Sequence, residues 1–164
     1  MKSDRQQDAT GQEPSPDAIV RPGWSCGRVF RFDLAFPPSA NTYYRTTAYI
    51  PKEGRPDPRA ATYLSAKGRA YRYSVCDDIE PRPEFPLACR VAIDVSLYFP
   101  TKRRCDIDNR LKPLLDALEY ARVFHDDSQV DCLRVSRGVV RKGGRCLVTV
   151  VELIPDDQQQ ELPL

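Results

Sequence analysis

The sequence predicts an α+β fold, in which a small mixed β-sheet carries two main helices in the order β-α-β-α-β-β. Three patterns predict it. Apolar side chains alternate strictly over residues 89–99, which indicates a strand. Leucines recur every three or four positions from Leu111 to Leu118, which is the stripe of a helix lying on a sheet. Gly143-Gly144 separates two further apolar runs, which is typical of a hairpin turn.

The first half of the chain contains the first strand and the first helix. Residues 30–36 alternate apolar and polar side chains, so they predict a half-buried strand that ends at Pro37-Pro38. A long loop is expected over residues 39–61, because prolines and a glycine interrupt every pattern there. Residues 63–79 then predict a helix with Ser65 as its N-cap, which Gly68 weakens.

The second half contains the most regular elements. After the strand at 89–99, a helix is expected to begin just after Asp108-Asn109, two good capping residues. Two final strands are expected to pair as a hairpin, residues 130–140 with residues 145–153. The resulting sheet would carry both helices on one face.

The formal charge of +2 on the 164 residues conceals a basic core. Residues 26–151 contain 22 basic and 15 acidic residues, a net charge of +7, because residues 1–25 and 152–164 hold the other eight acidic residues. The two ends are polar and lack periodicity, so we expect disordered tails at 1–25 and 155–164 around one domain at 26–154. A basic domain without a base-reading motif suits contacts to a nucleic-acid backbone.

Composition excludes several other classes of protein. A single histidine, His125, rules out His-rich zinc sites, and the six cysteines form no CxxC pair. No apolar run approaches the roughly 20 residues of a membrane-spanning helix, and the N-terminus lacks the apolar stretch of a signal peptide. We therefore expect a cytoplasmic protein that does not bind membranes.

Acidic residues concentrate between residues 102 and 131. Asp106 and Asp108 are two apart in an extended segment, so both can point the same way, and Asp127 follows the next helix. If the strand after Asp127 lies beside the strand at 89–99, the three carboxylates converge. Such oxygen ligands suit Mg²⁺ or Mn²⁺, which would polarise a phosphoryl group or generate hydroxide.

Lys112 lies one helical turn from both Asp108 and Asp116. An ammonium group there could neutralise a scissile phosphate. Asp–Lys pairs at this spacing are also ordinary surface salt bridges, and Asp108 could simply cap the helix. Spacing alone leaves the metal site and this structural alternative open.

Three sequence blocks resemble the RusA-like Holliday-junction resolvases, in that family's order and across about residues 28–154. The most specific block consists of Arg103-Arg104-Cys105-Asp106-Ile107-Asp108-Asn109, Lys112, Asp116-Ala117-Leu118 and Asp126-Asp127-Ser128-Gln129-Val130. The others are Pro37-Pro38-Ser39-Ala40-Asn41 with Tyr43-Tyr44-Arg45, and Ser65 with Gly68 and Tyr71-Arg72.

The resemblance implies a Mg²⁺-dependent crossover junction endodeoxyribonuclease of recombination and repair, with Mn²⁺ as a substitute. Asp106, Asp108 and Asp127 match the family's metal-binding catalytic carboxylates, and Lys112 matches its essential lysine. Asp126 is expected to be a neighbour rather than a ligand. The family acts as a homodimer that makes paired symmetric cuts across a four-way junction. It implies no nucleotide cofactor and a bacterial or phage-infected cell.

Basic and aromatic residues near these motifs are the candidates for DNA contact. They are Lys102, Arg103, Arg104, Arg45, Arg69, Arg72, Tyr43 and Tyr44. The two tyrosines could stack on exposed bases, or be buried against the sheet. Two other functions stay open: a non-catalytic module that binds branched DNA, and a metal-dependent nuclease for flaps or single strands.

Overall fold

The computed structural model describes residues 15–49, 59–82 and 84–156, and it confirms the α+β class. The chain begins with a 3-10 helix, Pro16–Ile19, and a 3-10 turn, Asp127–Gln129, precedes the fifth strand. The strands are β1 (Trp24–Leu34), β2 (Tyr44–Tyr49), β3 (Arg59–Leu64), β4 (Val91–Tyr98), β5 (Val130–Arg137) and β6 (Arg145–Pro155). The helices are α1 (Ala40–Tyr43), α2 (Ala66–Asp78) and α3 (Asp108–Tyr120).

Four strands form the main sheet in the order β1-β6-β4-β5. The predicted hairpin between residues 130–140 and 145–153 is wrong, because β6 pairs with β1 and β4 while β5 runs parallel to β4. Gly143 and Gly144 do turn the chain with positive φ angles, but the strands that this turn joins, β5 and β6, lie on opposite sides of β4. The helix α3 makes this possible, since a parallel pair needs a crossover connection.

The predicted loop over residues 39–61 is wrong in part. It contains α1 and an antiparallel hairpin of β2 and β3, from the pair Tyr44 and Leu64 to the pair Tyr49 and Arg59. Residues 50–58 lie outside the described residues. The following helix begins at Ala66 rather than residue 63, because β3 extends to Leu64. The predicted N-cap is confirmed: the Ser65 hydroxyl accepts a hydrogen bond from Gly68 N at 3.0 Å.

The main core lies between the sheet and the helices α2 and α3. Buried side chains from the sheet pack there against Tyr71 and Val75 of α2 and Leu114 and Leu118 of α3. The sheet contributes Phe30, Phe32, Leu34, Val91, Ile93, Val95, Leu97, Cys146, Val148 and Val150. One face of each helix is thereby fixed against the sheet, and the opposite faces form a surface.

The N-terminal segment covers part of the other sheet face. Ile19 is buried there with Ala92, Val151 and Leu153, and Arg21 forms an ion pair with Asp131 at 2.9 Å. Part of the stretch assigned above to a disordered tail therefore has a defined fold, since residues 15–25 include the 3-10 helix and the start of β1. Residues 1–14 and 157–164 lie outside the described residues. Within the described ranges, no helix has the length and apolar character needed to cross a membrane.

Candidate active site

Lys112 lies at the centre of a cluster of paired charges on α3. Its Nζ is 2.8 Å from Asp116 Oδ1, one turn along the helix, and 3.1 Å from Asp127 Oδ2, just before β5. The hydrogen bonds with Asp116 and Asp127 raise the pKa of Lys112 above its usual range, so the ammonium stays charged. Two carboxylates from different elements thus hold this side chain in one position.

Asp116 is the buried anchor of this cluster, with only 7% of its surface exposed. The Tyr44 hydroxyl on β2 donates a hydrogen bond to Asp116 Oδ2, and Arg72 Nη2 on α2 lies 3.8 Å from the same oxygen. Burial, and then the hydrogen bond to Asp116, raise the pKa of Tyr44 to about 12. The sequence predicts that Asp116 shares a helix face with Lys112, but Asp116 was not among the predicted site residues. Its spacing of four residues from Lys112 is the feature that could have identified it.

Asp126 and Asp127 have different roles: the first stabilises a turn and the second contacts Lys112. Asp126 Oδ1 accepts a hydrogen bond from Ser128 N at 2.9 Å, and Gln129 Oε1 accepts one from Asp126 N at 3.1 Å. These reciprocal bonds form a capping box, and the hydrogen bond from Ser128 lowers the pKa of Asp126. Asp126 therefore shapes the turn, and Asp127 is left to contact Lys112.

Asp106 and Asp108 lie at the start of α3, and both are exposed. Among the described residues, neither carboxylate has a hydrogen bond or an ion pair. The prediction that Asp108 lies just before the helix as a cap is wrong, since the N-cap is Ile107 and no side chain caps this end. Both carboxylates lie near the positive end of the helix dipole, which favours anions.

Asp106, Asp108 and Asp127 do not form a preassembled metal site. In the part of the chain that the structure describes, no three His, Cys, Asp or Glu side chains are grouped so that they could hold a metal ion. The strand β5 does lie beside β4 and runs parallel to it, so Asp127 comes just before the start of β5, whereas Asp106 follows β4 along the chain. Asp127 contacts α3 at Lys112, one helical turn after Asp108. Their carboxylate oxygens still have the donor chemistry that Mg²⁺ requires.

The loop that carries Asp106 is fastened to the sheet and to the first strand's end. Arg137 Nη2 donates a hydrogen bond to Cys105 O at 2.5 Å, and its Cζ lies 3.8 Å from the centre of the Phe99 ring. Arg110 on α3 donates to Pro37 O at 3.1 Å. This last contact connects two of the sequence motifs, the proline pair and the acidic block.

The candidate DNA contacts occupy different environments. Arg45, Arg69 and the loop residues 102–104 are exposed. Arg72 is more enclosed, and its Nε donates a hydrogen bond to the Tyr43 hydroxyl at 2.7 Å. Tyr43 is fully buried, so base stacking by this ring is ruled out and the alternative of burial holds.

Two aromatic residues outside the sequence motifs are exposed beside this cluster. Tyr73 on α2 and Tyr120 at the end of α3 have 57% and 46% of their surfaces exposed. The available signal was spacing, because Tyr120 is four residues after Asp116 and eight after Lys112. Together these contacts make one continuous surface across α2 and α3 that combines a fixed lysine, arginines and open aromatic rings.

Comparison with known proteins agrees with the sequence motifs. The family model described as endodeoxyribonuclease RusA matches residues 35–151. A relative named crossover junction endodeoxyribonuclease RusA, from Escherichia coli strain K12, is 37% identical over 126 residues, which are 76% of this chain and 96% of the relative. The phage 82 protein of that name has the same identity and coverage. The phage HK97 protein is 38% identical over 125 residues, covering 76% of this chain and 95% of the relative. With this match and these identities, the chain belongs to the endodeoxyribonuclease RusA family.

Proposed function

We propose that this protein is a Mg²⁺-dependent endodeoxyribonuclease that resolves Holliday junctions by paired symmetric cleavage in DNA recombination and repair. The observation that carries the proposal is Lys112, held by Asp116 and Asp127 one helical turn after the exposed Asp108, in a member of the RusA family. The curated relatives are named for crossover junction cleavage, which supports this substrate. We propose that it acts in the cytoplasm.

The three carboxylates of Asp106, Asp108 and Asp127 are the proposed metal ligands. A bound Mg²⁺ would polarise a phosphoryl oxygen and lower the pKa of a bound water. Asp106 and Asp108 are exposed and unpaired among the described residues, so their oxygens are open to a ligand. Asp127 already contributes one oxygen to Lys112, and its position ties the ligand set to that lysine. Mn²⁺ carries the same ligand preference and is the expected substitute.

Lys112 is the proposed phosphate-binding group. Its two carboxylate partners keep it charged, and a fixed positive charge stabilises the negative charge that grows on phosphorus in the transition state. Asp116 acts through Lys112, since Tyr44 and Arg72 occupy its second oxygen and leave the first directed at the ammonium. Asp116 is therefore a positioning residue in this proposal.

DNA binding is proposed to depend on the basic residues around this centre. Lys102, Arg103 and Arg104 lie in the loop that carries Asp106, and Arg45 and Arg69 are exposed near the β2–β3 hairpin and α2. Phosphate contacts of this kind follow backbone shape rather than base sequence. Two cuts on strands of like polarity require two sites, so we propose a homodimer.

A cleavage assay on several substrates tests the proposal. Mg²⁺ is titrated against end-labelled DNA as an immobile four-way junction, a flap and a single strand. We expect symmetric nicked duplexes from the junction, no product with EDTA, and no product from the Asp127→Asn protein. Light scattering on the free protein is expected to give the mass of a dimer. Junction binding without a nick at any Mg²⁺ concentration would favour the non-catalytic module, and cleavage confined to flaps or single strands would favour the third function.

A further inference from the structure

We propose that Tyr73 and Tyr120 form a stacking site for an unpaired base of the DNA substrate, beside the Lys112 cluster. The inference rests on the proposed function, because it takes DNA as the substrate. It adds a contact to the base itself to the phosphate contacts proposed above. It also replaces the buried Tyr43 with rings that DNA can reach.

The two rings lie side by side on neighbouring helices. Tyr73 belongs to α2 and Tyr120 to α3, and their centres are 6.3 Å apart with the ring planes inclined at 68°. About half of each side chain is exposed, although aromatic rings normally bury most of their surface in the fold. Each open ring presents an aromatic face of the kind on which nucleobases stack without regard to sequence.

A small basic cavity adjoins the rings. It has a volume of about 210 Å³ and is lined by Leu64, Arg69, Arg72, Tyr73 and Tyr120, with no acidic residue among them. Ligand pockets for drug-sized molecules are larger, roughly 300–1,000 Å³, so this one suits a single planar ring. Arg72 Cζ lies 5.2 Å from the centre of the Tyr120 ring, and Arg69 donates to Leu64 O at 2.8 Å. A base placed here would have arginines close to its phosphates.

The charge of the cavity favours DNA over a second copy of the chain. In a two-fold contact centred on these rings, Arg69 and Arg72 would face the same arginines of the other copy. Like charges in that position oppose association. The phosphates that flank a base carry the opposite charge, so the arginines favour a nucleotide.

The cavity lies on the same face of α3 as the candidate active site, a short distance along the helix. Lys112, Asp116 and Tyr120 follow one another at intervals of four along α3, so Tyr120 is about 12 Å along the helix axis from Lys112. That distance corresponds to about three or four stacked nucleotides at 3.4 Å each. Arg72 connects the two places directly, because it contacts the Tyr120 ring and lies 3.8 Å from Asp116 Oδ2. The base that stacks here would thus lie a few nucleotides from the scissile phosphate.

A binding experiment that removes the ring from the protein or the base from the DNA tests the inference. Fluorescence anisotropy in EDTA compares a labelled oligothymidine strand with an abasic strand of equal length and charge. The unaltered protein is expected to bind oligothymidine more tightly by about 5- to 100-fold. Tyr73→Ala and Tyr120→Ala should reduce this preference, and the double variant should abolish it. Tyr73→Phe and Tyr120→Phe retain the rings and should retain the preference.

Three results would overturn the inference. The first is equal affinity of the unaltered protein for the two strands. The second is a preference for oligothymidine that is undiminished in the double alanine variant. The third is loss of the dimer in that variant while the preference for oligothymidine stays. The comparison of the two strands with the unaltered protein needs no variant, so it tests the inference even if an alanine variant folds poorly. Junction cleavage, measured in parallel, separates the two proposals. Cleavage without base-dependent binding contradicts only the stacking site, and base-dependent binding without cleavage contradicts only the proposed nuclease.

Discussion

The two sides of the candidate active site differ in how their charges are balanced. On one side, Lys112, Asp116 and Asp127 are already paired with one another, and Asp116 is buried. On the other, Asp106 and Asp108 are exposed and have no partner among the described residues. A paired charge contributes to the fold and is fixed in place, whereas an unpaired one is free to bind a ligand. The difference predicts that substitutions on the two sides will separate activity from stability.

The largest effect is expected on the unpaired side. Asp108→Asn removes a proposed metal ligand, so junction cleavage should fall by at least about 100-fold, since even outer-shell partners of a metal cost about 10- to 100-fold. The melting temperature should change only slightly, because the carboxylate has no paired partner and loses only its interaction with the helix dipole, about 0.3–1 kcal/mol. Junction binding in EDTA should be unchanged or tighter, since a negative charge near phosphates is removed. Single-turnover cleavage, anisotropy and a thermal melt measure the three quantities.

Asp77→Asn is the matched control for that variant. Asp77 is an exposed aspartate on α2, so the substitution makes the same change of charge outside the site. Cleavage by the control should match the unaltered protein. Full cleavage by Asp108→Asn, or an equal loss in both variants, would contradict the assignment of Asp108.

On the paired side, activity and stability are expected to fall together. Asp116→Asn removes the charge that Lys112, Tyr44 and Arg72 share, so cleavage should fall by about 10- to 100-fold, as for an outer-shell residue. The free energy of unfolding should fall by about 1–3 kcal/mol, the usual cost of losing hydrogen bonds to a charged group. Urea denaturation and cleavage at saturating junction measure these changes. An Asp116→Asn protein with lower activity and unchanged stability would contradict the comparison, because substitutions on both sides would then affect activity alone.

The sequence predicts the parts of the fold that have local, strongly apolar patterns. The strand β4 and the helix α3 follow directly from alternation and from the leucine stripe. The hairpin of β2 and β3 was missed because residues 45–48 are all exposed, so no apolar alternation marks that strand. The pairing of β5 was wrong because a Gly-Gly turn is a local signal, whereas the parallel pair depends on the crossover through α3.

In the candidate site too, contacts within one helix were predictable from the sequence, and contacts between distant residues were not. The contact of Lys112 with Asp116 follows from a spacing of four within one helix. The contacts of Asp116 with Tyr44 and Arg72 join residues that are 72 and 44 positions apart, so only the packed structure brings them together. The convergence of Asp127 with Asp106 and Asp108 stays a prediction: β5 does lie beside β4, as it requires, and the described contact of Asp127 is with Lys112.

Gly68 tests how far the paired side depends on the close packing of α2. A Cβ at this position would lie 2.7 Å from both Tyr43 O and Leu64 Cδ1, and the carbonyl belongs to the backbone. Gly68→Ala should therefore lower the free energy of unfolding by about 1–3 kcal/mol, although helix propensity alone would raise it by about 1 kcal/mol. Urea denaturation gives the sign directly. A more stable variant would show that α2 can move away without cost.

The smallest effect expected is a change in alkaline stability at Tyr44. The fold raises the pKa of this hydroxyl from 10.0 to about 12, by burial and by the hydrogen bond to Asp116, so it favours the neutral phenol. The contribution of that phenol to stability is complete below pH 10 and is lost as the pH rises from 10 toward 12. Tyr44→Phe lacks the ionisable group, so its deficit in the free energy of unfolding should be largest near pH 8 and shrink above pH 10. Alkaline titrations of groups that do not interact with Tyr44 are common to both proteins and cancel in the difference. A deficit that stays constant from pH 8 to 11 would contradict the coupling of Tyr44 to Asp116, and with it the fully paired side of the comparison.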